Sequence, residues 1–353
     1  MNAGAGNRFS MIRVYPAICI YSAAHFFIDF ACAYLMFRAI AASTDGYVCV
    51  FIYNFLAFAA QMPLGILADV YDKNHMFAAV GCVLTAAAYG LSVSPVAAAA
   101  VAGVGNAMFH IGGGLDILNI SKSKAGALGI FVSPGAFGVY LGTVLGRGRI
   151  KLAIFIIAAL IAAAALILAN RRARGDACPR NAPFSLETGS SHRGVPAIIC
   201  FFLVVCARSF AGLAFNFPWK GAGAGYWGIA LIFAVVLGKA SGGLLADRLG
   251  AAKVAPVSLA LATLLFTYSA LPAAGVLAMF FFNMTMPVTL WAMAKTFPRA
   301  KGFSFGLLSF GLFVGFLPMY IIEGLPIAPT WLFAAIAAAS LPLLITGLRK
   351  AGI

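Results

Sequence analysis

Twelve apolar runs, each close to 20 residues long and parted by short polar breaks, make up most of this chain of 353 residues. About 20 apolar residues is the length of helix that crosses the hydrocarbon core of a bilayer. The runs are Tyr15–Met36, Tyr47–Ala68, Met76–Pro95, Val96–Leu118, Ala125–Leu145, Ile150–Leu168, Val195–Phe217, Tyr226–Leu245, Val254–Leu271, Ala273–Ala294, Gly302–Ile322 and Thr330–Leu348. They predict an all-α membrane protein with twelve transmembrane helices. Composition agrees: 63% of residues are hydrophobic and 9% are charged, against about 25% charged in a soluble domain. A disordered chain or a secreted scaffold is excluded on the same ground. Six of the seven cysteines lie in apolar runs; they read as small buried hydrophobes without metal-ligand spacing. The first run is too long for a signal-peptide core and reads as a first span.

The stretch from Asn170 to Gly194 breaks the pattern with five arginines, an Asp, a Glu and two prolines. It divides the chain into an N-terminal six-helix bundle (1–169), a linker (170–194) and a C-terminal six-helix bundle (195–353). A punctuation mark recurs in each half: Gly65-Ile-Leu-Ala-Asp69 and Gly243-Leu-Leu-Ala-Asp247, offset by 178 residues. That is half the chain and reads as duplication. Ser-Pro at Pro95 and Leu-Pro at Pro272 predict tight turns between neighbouring spans.

The chain carries 24 Lys+Arg against 9 Asp+Glu, a net +15. On a soluble chain that balance would raise nucleic acid as a partner. Here the basic residues sit in short loops facing anionic lipid, so the expected partner is the bilayer and not nucleic acid. With both termini cytoplasmic, seventeen lysines and arginines fall inside and five outside, the bias of a multi-pass protein of the bacterial cytoplasmic membrane. Arg147, Arg149 and Lys151 run against it.

Gly65 and Gly243 permit close helix approach. Asp69 and Asp247 then sit at the water boundary, where a carboxylate accepts from helix N-terminal amides or meets a cation. Six plus six spans, a basic linker, and these turns after spans two and eight resemble the major facilitator superfamily, whose turn motif is roughly Gly-x-Leu-Ala-Asp-Arg-x-Gly-Arg-Arg. The second copy, continuing Asp247-Arg248-Leu249-Gly250, matches well. The first has Val70 and Asp72 at the Arg and Gly places. The resemblance implies two halves rocking about a midplane site, with Gly65, Asp69, Gly243, Asp247 and Arg248 at an inner gate. The second turn is expected to make the more regular contacts, and Asp69 to rely on Lys73 or a basic residue in a neighbouring loop. Within the superfamily, Ala24-His25-Phe26-Phe27-Ile28-Asp29 and Gly105-Asn106-Ala107-Met108-Phe109-His110 are similar to elements of the fosmidomycin-resistance type of efflux proteins; Ile111-Gly112 stands where that type has Pro and Glu.

Ionisable residues inside spans are costly and face cavities. His25 and Asp29 share a helix face at i, i+4 and form either a protonation switch or a structural pair. With His110 in span four they are the candidate proton-coupling residues. Gly112, Gly113 and Gly114 either loosen span four or let it pack closely. Asp116 is expected beside Lys122 or Lys124. In span seven, Arg208 is offset by the half-chain repeat to Phe30, next to Asp29, so it either anchors an anion bidentately or closes a salt bridge to Asp29. Lys239 in span eight, at the place of Gln61, either helps bind or snorkels. Asn54, Gln61, Asn216, Asn283 and Thr285 are the remaining polar candidates for the substrate site. Span five reads Gly129-x-x-x-Ser133-Pro134-Gly135-x-x-Gly138-x-x-x-Gly142, which resembles the Gly-x-x-x-Gly-Pro motif of antiporters and adds Pro134 to the gating candidates; tight packing alone is the other reading.

Nothing resembles a nucleotide loop, a metal cluster or a nucleophile triad, so no enzyme activity, cofactor or metal is expected. The expectation is a monomeric secondary transporter that moves a small anionic or amphiphilic solute outward against protons. Uptake or uniport of an organic anion, and a non-transporting receptor or assembly protein on the same scaffold, are the alternatives.

Overall fold

The computed structural model describes residues 3–41, 43–91, 93–174, 180–187, 194–214, 217–220, 225–322 and 329–353, with side chains from Tyr15 onward (Arg174 excepted). Among them eleven helices are long and apolar enough to span a membrane. These are α1 (Tyr15–Ile40), α2 (Gly46–Tyr71), α3 (Asn74–Leu91), α4 (Pro95–Ile120), α5 (Ala125–Arg147), α6 (Ala153–Ala173), α7 (Gly194–Ala214), α8 (Tyr226–Leu249), α10 (Pro272–Thr296), α11 (Lys301–Ile321) and α12 (Thr330–Lys350). The twelfth, α9 (Ala251–Thr267), is apolar but shorter. Each of the twelve runs therefore becomes one helix.

The proline turns fall where the sequence places them, but their residues belong to the following helix. Pro95 and Pro272 are each the first residue of a helix, where a missing N–H costs nothing and the fixed φ is already helical. Ser94 caps α4 by accepting from the Ala97 amide at 3.4 Å. The third run thus ends at Leu91 rather than Pro95. Two π-helical turns, Met36–Ile40 and Phe55–Ala59, interrupt α1 and α2.

Packing repeats with the duplication. Within the first half α1 lies on α5 and α6, and α3 on α4 and α6; within the second half α7 lies on α11 and α12, and α9 on α10 and α12. The halves meet along two seams, α2 against α11 and α5 against α8, which the half-chain repeat interchanges. Glycines make these seams tight: a Cβ at Gly65 would strike the Gly302 carbonyl, and one at Gly243 the Ala125 carbonyl. The glycines of α5 serve the same end. Gly138 and Gly142 meet the α1 backbone at Phe26 and Phe30, and Gly129 meets the Lys239 carbonyl on α8.

The middle glycines of α4 do not loosen it. The helix runs unbroken from Pro95 to Ile120. Gly112 lies against the α3 backbone at Asn74 and Ala78, Gly113 against Phe131, and Gly114 against the Phe305 ring. Close packing is the reading the structure selects. Asp116 is buried and accepts from the Tyr21 hydroxyl rather than sitting at the surface beside the lysines.

Candidate functional site

Three groups of polar and charged residues stand out in the structure. The first is the pair of aspartate turns, which lie at one common face. Asp69 ends α2 and accepts from the Gly302 and Phe303 amides, both at 2.9 Å. Asp247 ends α8 and accepts from the Ala125 and Gly126 amides, also both at 2.9 Å. Each carboxylate thus caps the bare N-terminus of a helix in the opposite half, where unpaired N–H groups and the helix dipole favour negative charge.

The expected inequality of the two turns is overturned. Asp69 does not use Lys73, which is exposed at the start of α3; two amides hold the carboxylate, and the other alternative, a basic residue from a neighbouring loop, is met by Lys301, which stands within electrostatic reach. The turn with the poorer motif match is also the better buried, Asp69 being 4% exposed and Asp247 exposed. Arg248 is exposed in the last turn of α8. The departures of the first turn have a use of their own. Asp72, at the motif's Gly place, sits in the left-handed region with φ 52 and accepts from the Asn181 amide of the linker at 2.7 Å. The Asn181 side chain donates to the Ala68 carbonyl and receives the Asn74 and Asn119 amides. Two residues on, the Pro183 carbonyl receives the Arg299 Nε–H at 2.9 Å. The linker is therefore fastened to both halves across this face. Sequence reasoning missed Asn181 because an asparagine in a polar loop carries no signal.

At the opposite face, Tyr47 of α2 and Tyr320 of α11 close the same seam. Each hydroxyl donates to the other's carbonyl, at 2.8 and 3.0 Å, and the rings stack 4.1 Å apart. Phe51 packs on Phe313 and Tyr320 beneath them.

The second group lies inside the first half. His25 and Asp29 of α1 meet His110 of α4. His25 Nε2 is 3.2 Å from Asp29 Oδ2, His110 Nε2 is 3.7 Å from Asp29 Oδ1, and the two Nε2 atoms are 2.9 Å apart. Both Nδ1 atoms face backbone carbonyls, His25 that of Phe131 at 2.8 Å and His110 that of Asn106 at 2.9 Å. A carbonyl only accepts, so Nδ1 carries the hydrogen in each ring, and both Nε2 lone pairs turn into the cluster. Asn106 donates to Asp29 Oδ1 at 3.2 Å. Pro134 is inside α5, and its neighbour Gly135 leaves open the space that a Cβ would fill against Asp29 and His25. The expectation of no metal cluster needs amending: the three side chains put one ligand atom each within 4.8 Å of one another. Sequence spacing hid this, since His110 is 85 residues from His25.

The third group is basic and lies in the second half. Arg208 on α7 is 8% exposed, and its Nη1 is buried without a hydrogen-bond partner. The salt bridge to Asp29 held open by the sequence does not form; Asp29 is engaged by the histidines and Asn106. Lys239, on α8, is within electrostatic reach of both Arg208, which repels it, and Asp29, which attracts it, yet forms no ion pair with Asp29. The polar candidates are mostly turned back on their own helices. Asn54 donates to Val50, Gln61 to Ala57, Asn283 to Met279 and Thr285 to Phe282. Gln61 keeps a buried Oε1 without a partner at the α2–α11 seam. Asn216 lies outside the described residues.

No protein-family model matches the chain, and no curated protein matches it in sequence. Solved structures do match in shape. A variant of the Escherichia coli fucose:proton symporter FucP aligns with TM-score 0.71 and 14% identity over 97% of this chain and 99% of its own. FucP in the outward conformation, a major facilitator superfamily transporter, gives 0.67 and 14% over 95% and 98%. This chain has the major facilitator fold. The human organic anion transporter MFSD10 aligns at 0.65 with 11% identity, over 96% and 97%. Identities this low speak for the fold alone, and these three neighbours are membrane transporters.

Proposed function

We propose that this chain is a secondary transporter of a small organic anion, coupled to protons and working by alternating access. The observation that carries the reading is Arg208, a buried guanidinium with Nη1 unpartnered and, among the described residues, no acid bound to it. Lys239 adds a second charge within reach. A cation at membrane depth costs about 2.5–3.5 kcal/mol, so two uncompensated ones are stable in a site that an anion visits. A carboxylate or phosphonate suits the bidentate donor fork of Arg208. The coupling proton is held by His25, Asp29 and His110: with both Nδ1 atoms committed to carbonyls, a proton on one Nε2 relieves the opposed lone pairs and donates to the other ring or to Asp29. Movement comes from parting the α2–α11 and α5–α8 seams at one face at a time, with Asp69, Asp247, Gly65 and Gly243 as the inner gate and both termini cytoplasmic.

Outward movement in exchange for protons is the direction we favour, on the likeness of the His25–Asp29 and Phe109–His110 elements to the fosmidomycin-resistance type and of the Gly129–Pro134 series to antiporters. The test is flux of labelled mono- and dicarboxylates and phosphonates in proteoliposomes under an imposed pH gradient. Wild type should accumulate an anion in response to the gradient, and Asp29→Asn should uncouple it. Flux that ignores the gradient, or an Asp29→Asn protein with wild-type rate and pH response, would sink the coupling; no flux of any anion would sink the reading.

A further inference from the structure

We infer that His25, His110 and Asp29 form a binding site for a divalent first-row transition metal ion. The argument is geometric. A straight N–H···N bond of this length would hold the two ring centres about 5.2 Å apart, because each centre lies about 1.15 Å behind its Nε2. The ring centres of His25 and His110 are 4.5 Å apart, with the planes at 85°, while the nitrogens are 2.9 Å apart. Two imidazoles aimed at one shared point about 2.05 Å from each nitrogen, at a right angle, give about 2.9 Å between nitrogens and about 4.5 Å between centres. The rings are therefore bent off the straight N–H···N line, as they are when both lone pairs lean towards a third position between them. Asp29 stands beside that position, with oxygens 3.2 and 3.7 Å from the two nitrogens, a spacing fit for a third ligand on the same face of the ion.

The surroundings are those of a ligand set. Each histidine donates its Nδ1–H to a backbone carbonyl, the outer contact that fixes tautomer and ring direction in metal sites. Asn106 orients the carboxylate. Gly135 keeps the adjoining space free of a side chain. Two neutral imidazoles and one carboxylate suit zinc, cobalt, nickel or ferrous ions rather than calcium or magnesium, and leave open coordination positions. Lys239 and Arg208 set the charge condition: Asp29 offsets one charge of a dication, and an anion on the two bases would offset the rest. The inference shares three side chains with the proton reading, since metal and proton would occupy the same atoms in turn; it does not use the anion reading at Arg208.

The experiment is Zn2+ and Co2+ binding to the full-length protein in nanodiscs, freed of any polyhistidine tag and of metal, by equilibrium dialysis and by the visible absorption of Co2+. We expect one ion per chain, with affinity at least about tenfold weaker in His110→Gln and Asp29→Asn and unchanged in His75→Gln. Melting of the metal-free variants separates lost ligands from lost fold, and if they unfold, Gly135→Ala supplies the same comparison by filling the adjoining space. A wild type that binds neither ion at 100-fold molar excess, or binding that His110→Gln and Asp29→Asn leave intact, overturns the site. Anion binding abolished by Arg208→Gln would survive that failure, so the two readings fall separately.

Discussion

Replacing Asp69 by Asn should loosen the gate at the aspartate-turn face, and by more than the same change at Asp247. The Asp69 carboxylate accepts two backbone amides, Gly302 and Phe303, in a site 4% exposed. An asparagine keeps one oxygen for one amide but turns an NH2 group against the other. One charge-assisted bond is lost and one buried donor is left unmet, together about 2–3 kcal/mol. Asp247 makes the same two bonds from an exposed position, where water replaces a lost partner; a cap there is worth about 1 kcal/mol. Hydrogen–deuterium exchange reads both directly. Amides at the start of α11 should exchange about 30–150-fold faster in Asp69→Asn, and those at the start of α5 only about fivefold faster in Asp247→Asn. Unchanged exchange at 302–303, or a larger effect at α5 than at α11, would refute the reasoning.

Asn181→Ala removes the side-chain bonds that tie the linker to α2, α3 and α4, so limited proteolysis at 180–187 should speed up at least tenfold while helix content is unchanged. Gly65→Ala drives a methyl into the Gly302 backbone; overpacking of this kind costs about 1–3 kcal/mol, and melting temperature in detergent should fall. Tyr47→Phe breaks one of the two reciprocal bonds to Tyr320, about 0.5–1.5 kcal/mol, and should raise alkylation of a cysteine placed at Phe51.

The twelve spans were legible because membrane depth imposes a length that no soluble fold requires. Close helix approach at Gly65 and Gly243 was legible too, from their shared offset, but not which helices meet there. Rotation of helices about their axes was not legible either. Arg208 falls on the repeat place of Phe30, next to Asp29, yet Asp29 turns to His110 within its own half and leaves Arg208 Nη1 without a partner. A one-dimensional pattern cannot rank a partner on a neighbouring helix against one across the seam. Nor could it weigh Asp72, which departs from the turn motif and thereby gains the Asn181 contact. Motif quality misled for Asp69 because the contact depends on backbone amides of Gly302 and Phe303, which every sequence supplies.

The central claim is that Arg208 receives an anion. Its direct test is calorimetric binding, at fixed ionic strength, of the carboxylates and phosphonates that proteoliposomes transport, to wild type and to Arg208→Gln. The account predicts that the best anion binds wild type and loses about 30-fold or more in affinity without Arg208, the cost of removing one partner of a buried charge pair. Equal affinity in the two proteins would contradict it.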